Sequence, residues 1–98
     1  MRLRSEDSPA LLSSLERLAS TLGVGIRYEQ LEQEGGTVRI RSGLVRLRDK
    51  HVLLVESSLC PRDKCLVIAH ALSSFDLRRV FMTPAARMLI ERSARFGP

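Results

Sequence analysis

The sequence predicts a small α+β domain: an N-terminal helix, an antiparallel meander of three or four strands, and two C-terminal helices. Three observations carry this. Leucines recur at helical spacing near the start, short segments in the middle alternate apolar and polar residues, and two proline-led apolar segments follow. At 98 residues the chain has room for one core, here built from Leu, Val and Ile because aromatic residues make up only 4% and Trp is absent. Residues 1–7 are charged and read as a flexible end, 8–96 as a single domain, and 97–98 as a tail.

Ser8-Pro9 opens the first helix, with Ser as cap and Pro at the first helical position. Leu11, Leu15, Leu18 and Leu22 form its stripe, and Gly23 ends it, so the helix is expected over Pro9–Leu22. Val24–Leu31 reads as a strand, Glu32–Gly36 as a polar turn, and Thr37–Ser42 as a second strand with Val38 and Ile40 opposite Arg39 and Arg41. Gly43 marks a bulge or tight connection, Leu44–Arg48 continues extended, Asp49-Lys50 turns, and His51–Glu56 is the last strand. Links this short favour antiparallel neighbours, one face under the helices and the other open. Pro61 starts the next helix, expected over Arg62–Phe75; it is apolar round most of its circumference, the mark of a central helix. Thr83-Pro84 caps the last helix, over Ala85–Ala94. Val80-Phe81-Met82, between the basic pair Arg78-Arg79 and that cap, could serve as an exposed docking segment, but apolar residues so placed more often fold back, and core is the expectation.

Charge divides the chain. Residues 1–36 hold four arginines against six carboxylates, and the remainder carries a net +7 within a total of +5. The excess is nearly all arginine, a bias also common in high-GC bacterial proteins. Arginine makes planar bidentate contacts with carboxylate and phosphate. Arg39 and Arg41 share a face of one strand, and Arg46 and Arg48 a face of the next extended segment. If the two segments pair, the four form a basic patch on the open side of the sheet, suited to an acidic protein partner or to nucleic acid. No aromatic residue interleaves with them, so the stacking platform of single-strand binders is missing. A solvated strand face, with arginine stems shielding the sheet, is the reading that the pattern by itself favours.

Catalytic constellations are absent. Gly35-Gly36 leads into a strand rather than a helix, so it is no phosphate cradle, and no serine has an acid–histidine pair to activate it. Cys60 and Cys65 are spaced C-x4-C, neither a zinc knuckle nor a C-x2-C redox pair, and free thiols are expected. Cys60, near Arg62 and Lys64, is the candidate for a reactive thiol, while Cys65 reads as core. His70, the only polar residue in the apolar run of that helix, is the candidate metal ligand, with Cys65, Cys60 and His51 as companions to consider. Cys65 and His70 are about 140° apart around a helix, so one ion cannot easily take both. The expectation is a histidine hydrogen-bonded within or beside the core, with no metal and no cofactor. No apolar run reaches the length of a membrane span and the charged start lacks the apolar stretch of a signal peptide, so the expected location is cytoplasmic.

Several segments together resemble the core of the ImmA/IrrE family of small zinc peptidases, from about Leu11 to Glu91. Leu18-Ala19-Ser20-Thr21-Leu22-Gly23-Val24 is similar to that family's first helix running into its first strand. His51-Val52-Leu53-Leu54-Val55 is similar to the strand before its active helix, and Ile68-Ala69-His70-Ala71-Leu72 to that helix, where the family places His-Glu-x-x-His. His70 matches the first histidine, but Ala71 stands at the general-base glutamate and Ser74 at the second histidine. The resemblance therefore implies a non-catalytic relative. The expected function is a protein-interaction or regulatory domain, with a homodimer as one form of partner. Nucleic-acid or polyanion binding is the alternative, and a divergent metal-dependent hydrolase the least favoured reading.

Overall fold

A computed structural model describes residues 8–30 and 43–96. Six elements follow in the order α1 (Ser8–Thr21), β1 (Val24–Glu29), β2 (Gly43–Leu47), β3 (Lys50–Glu56), α2 (Pro61–Leu72) and α3 (Pro84–Phe96). The α+β class is as expected. The strand expected over Thr37–Ser42, the end segments 1–7 and 97–98, and with them Arg39 and Arg41, lie outside the described residues.

The sheet corrects one expectation. It is mixed rather than an antiparallel meander, with strand order β1-β3-β2. β1 pairs with β3 in parallel, Val24 opposite His51 through Glu29 opposite Glu56. β2 pairs with β3 antiparallel, Gly43 opposite Leu54 through Leu47 opposite Lys50. The expectation followed chain order, which makes consecutive strands neighbours. The physical reason for the other outcome lies in β3: Val52-Leu53-Leu54-Val55 is apolar on both faces, and the middle of the sheet shields such a strand best. Residues 30–49 separate β1 from β3, enough chain to bring β3 back alongside β1 in the same direction.

All three helices contribute to one core. Leu53 and Val55 are fully buried on the helix side of β3, with Val24 beside them on β1. Leu15 and Ala19 of α1, Cys65, Ile68, Ala69 and Leu72 of α2, and Ala86 of α3 complete it, each with no solvent exposure. As its composition predicts, α2 is central, in contact with α1, α3, β3 and β2. It begins at Pro61 after an extended Cys60 and ends at Leu72, short of the expected Phe75. Beyond Leu72 the chain tightens into a final turn, with Ser74 N donating to Ala71 O and Phe75 N to Leu72 O. Gly23 has φ 78°, the left-handed conformation expected of a helix-ending glycine. Thr83 caps α3 as expected, its Oγ1 accepting from Ala86 N at 3.2 Å.

Candidate interaction surface

Residues directly opposite one another in a sheet share a face. His51, Leu53 and Val55 face the helices, so Leu44 and Arg46, opposite Leu53 and His51, do so as well. Arg46 is exposed, yet it stands on the helix side of the sheet rather than on the open side where the sequence pattern put it. Arg48 leaves the strand altogether: it occupies the turn between Leu47 and Lys50 at φ 57°. Arg46, Arg48 and Lys50 are all exposed on this one hairpin. The open face carries Arg27 and Glu29, ion-paired at 3.2 Å, around the half-buried Val52 and Leu54 and the exposed Val45.

α2 is packed unevenly. Cys65, Ile68, Ala69 and Leu72 lie at i, i+3, i+4 and i+7 and form its buried stripe. Its next flank overhangs β2 and leaves a cleft of about 310 Å³, lined by Gly43, Leu44, Leu53, Leu66, Val67, His70 and Ala71. The lining is apolar apart from His70 and the backbone. Leu44 and Leu66 are 36% and 40% exposed, so two leucines on facing walls stand open to solvent. The volume is at the lower end of the range for pockets that hold a ligand, enough for one or two side chains.

His70 is one turn from Leu66 on this flank and exposed. It lines the cleft beside the core instead of being sealed within it. His51 is half-buried and meets the Phe75 ring edge-on, with centroids 5.5 Å apart. Among the described residues, no three His, Cys, Asp or Glu side chains are grouped closely enough to hold a metal ion.

The cysteines divide as expected in exposure: Cys60 is exposed and Cys65 buried, both free. Cys65 Sγ donates to Ser8 O at 3.5 Å, tying α2 to the start of α1. Burial, and secondarily the charge of Glu16, push its pKa up to about 11, the reverse of what a thiolate nucleophile needs. Glu16 also accepts a hydrogen bond from the Tyr28 hydroxyl. Burial and this bond raise the Tyr28 pKa well above the usual phenol value. Lys64 Nζ lies 5.0 Å above the Tyr28 ring centre, closing a contact among α1, β1 and α2 that is structural in character.

Sequence reasoning passed over one surface feature and weighed a second the wrong way. The first is the cleft; its signal was the breadth of the apolar circumference of α2, more than four neighbours bury. The second is Phe81, expected in the core and found 97% exposed, while Leu77 four residues earlier takes the buried place. Among the described residues no helix is long and apolar enough to cross a membrane. Comparison with protein-family models, with curated proteins and with solved structures gives no match.

Proposed function

We propose that this chain is a non-catalytic protein-interaction domain, working in the cytoplasm without a cofactor, and that it receives apolar side chains of an extended partner segment in the cleft between β2 and α2. The carrying observation is the exposure of Leu44 and Leu66 across an apolar hollow of about 310 Å³. Apolar clefts beside a helix are a recurrent way of docking a peptide, because the rigid walls need no reordering and the guest removes apolar surface from water. The degenerate His70-Ala71-x-x-Ser74 pattern, which starts on the helix that forms one wall and ends in the turn after it, accords with a zincin-like core that does no zinc chemistry.

The test is a random peptide library displayed on phage and selected on the purified domain. Enriched peptides carry spaced apolar residues and bind at least tenfold more weakly to Leu44→Glu and Leu66→Glu variants that keep the wild-type circular dichroism spectrum. Equal binding to those variants, or no enrichment, contradicts the proposal. Self-association is checked on the same samples by sedimentation.

A second reading is kept because one observation favours it: Arg46, Arg48 and Lys50 are all exposed on the β2–β3 hairpin, Arg46 and Lys50 on opposite faces of it. With Arg39 and Arg41 they would bind a polyanion such as nucleic acid. That reading predicts binding to fluorescent DNA or RNA that falls steeply with salt and is lost when the four arginines are replaced by alanine. The hydrolase reading requires ligands from another chain; it would be revived only by metal-dependent turnover of a peptide pool.

A further inference from the structure

We propose that Phe81 is a preformed knob that inserts into an apolar pocket rimmed by carboxylates on a partner protein. This surface is built from residues other than those of the cleft and does not depend on it. Phe81 is 97% exposed, far more than the other large apolar side chains that reach the surface. An aromatic ring left in water forfeits its burial energy, and a flexible connector would normally fold it back. Here the connector is held. Leu77 is buried and anchors it, and Val80 N donates to Leu77 O at 3.2 Å. From α3, the Arg87 guanidinium donates to Val80 O at 2.7 Å and to Leu77 O at 3.4 Å. Asp76 adds a bidentate pair with Arg78 at 3.0 and 2.9 Å. The backbone before the ring is thus fixed, and Met82 packed against the core and the Thr83 cap of α3 hold the chain after it, which lowers the ordering cost of docking.

The chemistry of the partner follows from charge. Phe81 comes just after Arg78 and Arg79, and Arg79 is exposed with no carboxylate partner among the described residues. The stretch from 76 to 96 carries five arginines against two carboxylates. A pocket that takes the ring and presents Asp or Glu at its rim satisfies both groups, and aromatic and arginine side chains together are the usual energetic centre of an interface. A second copy is disfavoured because two chains of net +5 repel. A lipid surface is disfavoured because one protruding ring offers little apolar area to a bilayer.

The experiment places the photo-crosslinking analogue p-benzoylphenylalanine at position 81, or at the exposed control position 20, in the full chain within the cells that make it. The adduct is then mapped by mass spectrometry. The expected result is a saturable adduct at 81 and not at 20, on one protein, at an apolar pocket bordered by Asp or Glu. With that protein purified, Phe81→Ala weakens binding at least thirtyfold and Arg79→Glu more than Arg79→Ala. Leu66→Glu leaves binding unchanged, which separates this surface from the cleft. Because Phe81 and Arg79 are exposed, their variants should melt with the wild type. The proposal is overturned by the absence of a saturable adduct, by an adduct to a second copy, or by an affinity indifferent to Phe81→Ala. It is also overturned if the protein sediments with phosphatidylglycerol vesicles in a way that Phe81→Ala abolishes.

Discussion

Arg48 sits at φ 57°, a conformation that glycine adopts freely and an L-residue at a cost of about 1 kcal/mol. The Arg48→Gly variant is therefore expected to be more stable by up to about 1 kcal/mol in urea unfolding. Loss of stability would mean that the arginine side chain makes a compensating contact. The sequence showed arginines at 46 and 48 as a strand pair because period-two alternation continues through Leu47. It could not show that the turn begins at Arg48, since a glycine there would have been the signal. The cysteines were easier to read, Cys65 by its place in an apolar run and Cys60 by its place before a helix. At pH 8, Cys60 is expected to react with a thiol reagent in the native state and Cys65 only on unfolding. The Cys65 thiol has its folded pKa raised from 9.0 to about 11, so the folded state holds its proton more tightly. Its contribution is fully present below the unfolded value and is lost as pH rises from about 9 towards 11, costing roughly 2 kcal/mol. A Cys65→Ala variant should lack that part of the alkaline decline, which denaturation at pH 8 and pH 11 would measure.

Helix starts were legible to within one residue and helix ends to within three, because proline, threonine and glycine punctuate helices by mechanisms that act locally. Thr83 illustrates the strength of such a signal: its hydroxyl accepts the Ala86 N–H, and Thr83→Ala should cost about 1 kcal/mol in unfolding free energy. Strand order was not legible in the same way. Pairing is decided by which strand gains most from the middle of the sheet, and chain order says nothing about that. Within α2 the two sides should respond differently. Ile68 is fully buried, and Ile68→Ala should cost about 2–5 kcal/mol through the cavity it leaves. Leu66 is 40% exposed on the cleft wall, and Leu66→Ala should cost well under half of that. Equal costs would show that the cleft is closed in solution.

At the scale of the molecule, α1 and α2 cover one face of a mixed sheet, α3 packs against those two helices, and α2 has more apolar surface than its neighbours bury. That imbalance is where sequence and structure meet on function: the all-round apolar helix was visible in the sequence, but which flank stays uncovered depends on where β2 ends up. Arg46 changed sides for the same reason, since its face is set by pairing with His51. The most direct test of the cleft as a docking surface is a nuclear magnetic resonance titration of the domain, methyl groups labelled, with the tightest peptide from the library. The account predicts that the largest shifts fall on Leu44, Leu53, Leu66, Val67 and Ala71 and that they saturate together. Shifts centred on other residues, or a peptide that leaves these five unmoved, would contradict it.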